Sequence, residues 1–252
     1  MLMTLVRPEE DTVARLPHFS VDSRPDSVGA CRVGEGAVLT DGTVGAVRIE
    51  NFFTEAAAKA LHAFLSTSVV FERDDIGETK RASRASRAGE LPDDPIRTTS
   101  DASQEEAWDA LATFGSDWFI ENLSRWIGVP LRVLRPSTPY RLVAGDYIDP
   151  HDDYPAPEYR LSVACNLTPN GGGSEGGETY VGLVDTVEEY DGDDFFPLKR
   201  WRLKPGERTL QPVFNSLLLL PLSAGHAHAV RRVTTGPRHS ITTLYGDAVE
   251  EE

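Results

Sequence analysis

The chain has 252 residues, with 25 Lys and Arg against 40 Asp and Glu and a formal net charge of −15. That balance speaks against nucleic acid as the main partner, because duplex binding relies on basic side chains that neutralise phosphates. A hydrophobic content of 40% with 26% charged residues is that of a globular protein with chain enough for one large core or two small ones, which excludes disorder over the whole length. Met1–Glu10 has no apolar stretch of the secretory kind, and the longest purely aliphatic run, Leu217–Leu220, is far too short to span a bilayer. The expectation is a cytoplasmic protein with no membrane partner. Cys31 and Cys165 form no close pair in sequence, so any bound metal must use histidine and carboxylate ligands.

Residues 1–45 lack sustained periodicity and carry several Gly and Pro, which predicts an irregular N-terminal arm with a few short strands. Residues 46–252 read as one domain, with a helical support over about 46–130 and a β core over about 131–246. The run 44–53 predicts a strand, and Thr54 an N-cap for a helix with Ala57, Leu61, Phe64 and Leu65 on one face. Ser103-Gln104-Glu105-Glu106 matches a capping box. Ser116 starts a further helix whose stripe of Phe119, Leu123, Trp126 and Ile127 ends at Gly128, with Pro130 beyond. Trp108, Trp118 and Trp126 stand at helical spacings and are core residues. Past Leu131 the chain changes to short Val-, Leu-, Tyr- and Thr-rich runs broken by Gly, Pro, Asn and Asp, with strands predicted at 131–135, 139–144, 159–167, 178–184, 208–220, 226–233 and 238–245. Helices followed by strands imply an α+β fold in which the helices brace one side of a sandwich or barrel. Two stretches are expected to be mobile, Thr79–Ser103 and the acidic Asp185–Phe196. In the first, Lys80, Arg81, Arg84 and Arg87 stand out in so acidic a chain. They read as a solvated loop or, more sharply, as a lid that steers an anionic substrate or carrier.

Four of the six histidines fall in two segments, Tyr147–Tyr154 and Gly225–His239. In Asp149-Pro150-His151-Asp152-Asp153, alternation along an extended chain turns His151 and Asp153 to one side and Asp152 to the other, so one imidazole and one carboxylate can share a metal ion. The second segment runs Gly225-His226-Ala227-His228-Ala229-Val230 to Gly236-Pro237 and Arg238-His239-Ser240. It predicts two strands joined by a Gly-Pro turn that brings His228 and Arg238 together across a hairpin. Two histidines and a carboxylate on a β scaffold suit the facial triad of non-haem Fe(II) oxygenases, though zinc can accept the same ligands. Arg238 with Ser240 on one face favours iron, because a guanidinium fork and a hydroxyl can grip a carboxylate cosubstrate.

These residues resemble the Fe(II)/2-oxoglutarate-dependent dioxygenase family in its prolyl-hydroxylase-like branch. The likeness runs from about Tyr140 to Tyr245, through Gly145-Asp146-Tyr147-Ile148, His151-Asp152-Asp153, Arg160-Leu161-Ser162, Asn166-Leu167, Gly176-Gly177-Glu178, Pro212-Val213-Phe214-Asn215, His228-Ala229-Val230 and Arg238-His239-Ser240. It implies a double-stranded β-helix (jelly-roll, cupin-like) core braced by the N-terminal helices, so that residues 46–252 form a single oxygenase domain. It also implies Fe(II) held by His151, Asp153 and His228, with 2-oxoglutarate and O2 as cosubstrates. Arg238, ten residues past His228, and Ser240 then take the distal carboxylate of 2-oxoglutarate. Many relatives carry a Tyr just before the Gly-Asp pair, where this chain has Leu142, and Tyr140, two residues earlier on the same strand face, is assigned that role. The carboxylate Asp153 implies hydroxylation, with desaturation or ring formation as variants, rather than halogenation, because halogenating relatives replace it with a small residue.

The implied activity is hydroxylation of an unactivated C–H of a small molecule, an amino acid, peptide-like or carrier-tethered metabolite, with 2-oxoglutarate and O2 converted to succinate and CO2. A carrier protein thus stays among the candidate partners. The alternatives are a prolyl or other residue hydroxylase of a protein target and a non-oxygenase metal-binding β-barrel serving as hydrolase, isomerase or sensor. Arg160 is a candidate to fix an acidic group on the substrate, against a structural ion pair. His226, sharing the nominal face of His228, is a candidate substrate or metal-neighbour contact, against a solvated turn histidine.

Overall fold

The four consecutive leucines Leu217–Leu220 sit on one strand and bury both its faces, Leu217 and Leu219 toward one core and Leu218 and Leu220 toward another. This pattern is that of a sheet covered on both sides, and it organises the molecule, whose computed structural model describes residues 17–20, 22–85, 102–169, 175–193 and 196–248. The larger sheet has eight antiparallel strands: β1 (Arg32–Val38), β2 (Val44–Glu50), β3 (Phe71–Arg73), β5 (Ser83–Ala85), β6 (Leu131–Leu142), β8 (Tyr159–Asn166), β13 (Ser216–Pro221) and β16 (Arg238–Asp247). They lie side by side in the order β1-β2-β13-β8-β16-β6-β5-β3. A smaller sheet runs β11-β10-β14-β7-β4, formed by β4 (Lys80–Arg81), β7 (Tyr147–His151), β10 (Thr179–Asp193), β11 (Phe196–Leu203) and β14 (His226–Val230), with β12 (Arg208–Leu210) also on β10. The pair β9 (Glu175–Gly176) and β15 (Val233–Thr235) completes an α+β double-stranded β-helix.

The outer face of the large sheet carries the helices α1 (Glu55–Thr67), α2 (Ala102–Ala112) and α3 (Asp117–Ile127). Their apolar stripes, with Leu61, Leu65, Phe119 and Leu123, and Phe114 from the turn between α2 and α3 meet Leu161, Val163, Cys165, Ile241 and Tyr245 from the strands in one core. Tyr245 closes this layer by donating its buried hydroxyl to the Phe114 carbonyl at 2.7 Å. The helix starts follow the sequence signals at two of three places. Thr54 Oγ1 accepts from the Ala57 N–H and Ser116 Oγ from the Phe119 N–H, while Gly128 ends α3 at φ 86°. At α2 the helix already includes Ala102 and Ser103, so Ser103 lies inside it rather than capping it. Trp118 is buried, and Trp108 and Trp126 pack against the same core.

Several boundaries differ from the sequence reading. The arm to residue 45 contributes β1, paired along β2 at the edge of the large sheet. The strands expected at 131–135 and 139–144 are one strand, β6, with a bulge at Pro136–Ser137 where the register against β16 shifts. The acidic stretch from Asp185, expected to be mobile, continues strand β10. Its acids face the basic residues of β11, with Glu188 opposite Arg200 and Glu189 opposite Lys199, so charge repulsion is relieved across the ladder. Of the 79–103 stretch, residues 79–85 include β4 and β5, whereas residues 86–101, Arg87 among them, lie outside the described residues. The predicted strand 208–220 divides into β12 and β13 around a turn at Asn215 (φ 58°), whose side chain bonds both the N–H and the carbonyl of Phe53 at 2.8 Å. The run 226–233 ends at Val230 and resumes as β15. Gly236-Pro237 does not close a hairpin between the segments of His228 and Arg238, because β14 belongs to the small sheet and β16 to the large one. The two residues instead line one space between the sheets. Among the described residues no helix is long and apolar enough to cross a membrane.

Candidate active site

Strands β7 and β14 are neighbours in the small sheet, and their register sets His151 opposite His228 with ring centroids 4.3 Å apart. The chain leaves β7 and turns at Asp153, whose φ of 48° is a left-handed conformation that Asp tolerates better than most residues. That turn carries the carboxylate back toward the rings, with Oδ1 3.6 Å from His151 Nε2 and Oδ2 3.3 Å from His228 Nε2. One ligand atom from each of the three lies within 4.8 Å of the others. The rest of the local network fixes orientation. The His151 Nδ1–H faces the Asp149 carbonyl at 3.0 Å, which leaves Nε2 as the free lone pair. From the opposite sheet Ser162 Oγ donates to Asp153 Oδ2 at 3.3 Å.

The electrostatics favour a cation there. Burial, helped by the neighbouring His228, pushes His151 down to about 4, so its imidazole is neutral and able to ligate at pH 7. Burial would raise the Asp153 carboxyl, but His151, His228 and the Ser162 hydroxyl together hold it below the usual carboxylate range. Among the described residues two imidazoles and one carboxylate make up the cluster, a set that leaves coordination positions open, as an oxygenase metal requires.

The cluster opens on a cavity of about 450 Å³ between the sheets. Alternate residues of β16, Arg238, Ser240, Thr242 and Leu244, form one wall, while the intervening Ile241 and Tyr245 face the helices. Arg238 is 5% exposed, its Nε has no hydrogen-bond partner, and no carboxylate pairs with it among the described residues. Burial lowers its pKa to about 10, which still leaves a full positive charge at pH 7. A buried guanidinium in that state calls for an anion. Ser240 and Tyr140 stand directly opposite each other on β16 and β6, both on the cavity wall, and the Lys80 ammonium lies 4.9 Å from the centre of the Tyr140 ring. A buried cationic fork, two hydroxyls and a three-ligand metal cluster in one cavity fit 2-oxoglutarate beside Fe(II).

Two candidates fall elsewhere. Arg160 is held by Asp247, with Nε and Nη2 each 2.7 Å from a carboxylate oxygen, and it is not on the cavity wall. The arrangement is that of the structural ion pair, because the end of β16 supplies a carboxylate beside it. His226 Nε2 lies 3.0 Å from Thr43 Oγ1, against the β1–β2 turn, and its side chain misses the main cavity. Conversely, Gly177 stood within the motif Gly176-Gly177-Glu178 but was given no role from sequence. At φ 75° it has no side chain to keep Arg238 away, and a Cβ there would come 2.9 Å from Arg238 Cδ. Its signal was the Gly176-Gly177 pair. Ser162 and Arg135 also went unassigned, since only tertiary structure turns them toward the site.

The fold and the three-ligand cluster resemble those of non-haem metal oxygenases, and the comparisons point the same way. Residues 138–246 match the model of the 2OG-Fe(II) oxygenase superfamily. No curated protein matches in sequence. Among solved structures, an oxidoreductase of the 2OG-Fe(II) oxygenase family from Burkholderia pseudomallei superposes with TM-score 0.53 at 20% identity, covering 80% of this chain and 85% of its own. A Pseudomonas putida prolyl-4-hydroxylase gives 0.54 at 15%, covering 84% and 97%. The epimerase SnoN, solved with Fe3+, alpha ketoglutarate and nogalamycin RO, gives 0.53 at 15%, covering 81% and 79%. The match over residues 138–246 is to a family of enzymes that use Fe(II), 2-oxoglutarate and O2, and the fold is shared with prolyl hydroxylases.

Proposed function

We propose that this enzyme hydroxylates an unactivated C–H bond of a small molecule, turning 2-oxoglutarate and O2 into succinate and CO2. In this reading His151, Asp153 and His228 hold the iron, and Arg238, Ser240 and Tyr140 take the distal carboxylate of 2-oxoglutarate. The observation that carries it is the single cavity holding both the three-ligand cluster and a buried guanidinium without an acid partner among the described residues. The bound metal and cosubstrate supply the oxidising power for the C–H bond. The protein supplies placement. Ser162 steers the Asp153 carboxylate, the Asp149 carbonyl fixes the His151 tautomer, and Gly177 leaves room for Arg238. With Asp153 occupying its position, the site has no vacancy of the kind in which halogenating relatives bind chloride, so a hydroxylated product is expected.

The size of the cavity supports a small molecule over a protein target. Its volume is within the range of ligand pockets, and residues of β4 and β11 add walls beside those of the large sheet. The test is an anaerobic titration of metal-free protein with Fe(II) and then 2-oxoglutarate, following the visible charge-transfer band of the chelate. The band should form in the wild type, vanish in His228→Ala, and need far more cosubstrate in Arg238→Ala. Tight metal binding without a band would overturn the assignment of these residues to the oxygenase site, and hydroxylation of peptides instead of metabolites would overturn the substrate class.

A further inference from the structure

We infer that the substrate carries an anionic group, a carboxylate or phosphate next to an apolar body, and that Arg135 is the residue that grips it. The inference rests on the proposed oxygenase site and adds the part of the pocket that the cosubstrate does not use.

Along β6 the residues facing the cavity are Leu142, Tyr140 and Thr138, in steps of two. The bulge at Pro136–Ser137 breaks that parity and turns Arg135 inward. Arg135 then stands opposite Leu244 on β16, and Leu244 stands opposite Ser162 on β8. Ser162 is the hydroxyl that holds the Asp153 carboxylate. Arg135 is therefore two strand spacings from Ser162, about 10 Å between backbones, on the sheet whose Ser162 reaches the metal cluster. A group gripped there leaves the neighbouring carbons of the ligand within reach of the cluster.

The charges point the same way. In a chain of net charge −15 the cavity wall gathers five cations, Lys80, Arg84, Arg135, Lys199 and Arg238, against the two carboxylates Asp149 and Asp153. A ferrous ion, Asp153, the two carboxylates of 2-oxoglutarate and Arg238 cancel one another in formal charge. Lys80 is committed to Asp74 at 2.6 Å, with Arg84 behind it at 3.9 Å, and Lys199 stands across the ladder from Glu189. Among the described residues Arg135 has no carboxylate within 4 Å, and its guanidinium carbon lies 5.9 Å from the centre of the Tyr159 ring. The loaded site thus keeps an uncompensated cation beside the apolar surfaces of Leu244, Pro136 and Trp201, a combination that selects an anion with a hydrophobic portion.

The probes are phenylacetate and phenyl phosphate, with neutral phenylacetamide as their match. They are titrated by calorimetry into anaerobic protein saturated with Fe(II) and 2-oxoglutarate, so that Arg238 is already occupied. The expected result is binding of at least one anion at least tenfold more tightly than the amide, with Arg135→Ala bringing the anion down to the amide's level and Arg135→Lys keeping part of the difference. Which anion binds better separates carboxylate from phosphate recognition. Equal binding of anion and amide, no binding of either anion, or an unaltered affinity in Arg135→Ala would overturn the inference. Failure of 2-oxoglutarate itself to bind in the preceding step would instead overturn the oxygenase assignment. In that case the same titration into metal-free Arg238→Ala protein still decides whether Arg135 holds the anion. Arg135 is exposed on its strand, so its truncation should leave the thermal midpoint unchanged and the binding result interpretable.

Discussion

Arg238 shows how a single side chain can be set against stability in favour of binding. A guanidinium 5% exposed with no acid partner among the described residues destabilises the ligand-free fold, and an anion that neutralises it relieves that strain. Arg238→Met should therefore leave the metal-loaded, cosubstrate-free protein as stable as the wild type or more so, while the rise in thermal midpoint on adding 2-oxoglutarate disappears. A variant that lost stability and kept its response to 2-oxoglutarate would contradict the assignment. Gly177→Ala tests the same anchor from the other side. Its methyl group would meet Arg238 Cδ at 2.9 Å in a backbone conformation that suits glycine, so the KM for 2-oxoglutarate should rise by about tenfold or more. Tyr140→Phe should raise that KM more modestly, by a factor of a few, as expected for one neutral hydrogen bond of about 1 kcal/mol. No change in steady-state KM would remove Tyr140 from the cosubstrate site. His151, Asp153, His228, Arg238 and Ser240 could be picked out from sequence because their spacing carries a family's pattern. Arg135 could not, since its direction depends on a bulge that no local motif announces.

At the scale of elements, caps and alternation were legible and strand ends were not. Thr54 and Ser116 cap α1 and α3 through the side-chain bonds that their residue types suggest, and Thr54→Ala should lower the unfolding free energy by about 1 kcal/mol, measured by urea denaturation. The alternation along β16 was equally readable, with Arg238 and Ser240 on one side. What misled was charge: the acids from Asp185 onward look like solvated loop until β11 supplies Lys199, Arg200 and Arg202 along the same ladder. The pairing partner lies beyond the window in which periodicity is read, so the strand's length is a tertiary fact. The Gly-Pro hairpin failed for the same reason, since β15 finds β9 and β16 finds β6 and β8 instead of each other.

The whole molecule couples its pocket to its helical layer through β16, whose odd residues serve one and even residues the other. His239, next to Arg238, points to the helix side, where burial, with His62 and Arg141 nearby, lowers its pKa to about 4. The unfolded chain takes up that proton near the usual 6.5 while the folded one does not, so stability falls as pH drops from about 6.5 toward 4. His239→Asn should flatten this part of the pH dependence, as read from urea midpoints at pH 7.5 and 5. An unchanged slope would assign the acid sensitivity to other groups. By itself the sequence determined the fold class and named the candidate metal ligands and cosubstrate anchor, because period-two burial and motif spacing are local properties of the chain. Only the tertiary structure decided that His228 and Arg238 converge from opposite sheets, that Arg160 belongs to Asp247, and that Arg135 faces the cavity. Each of these depends on long-range strand pairing and register, which a local pattern along one chain does not specify.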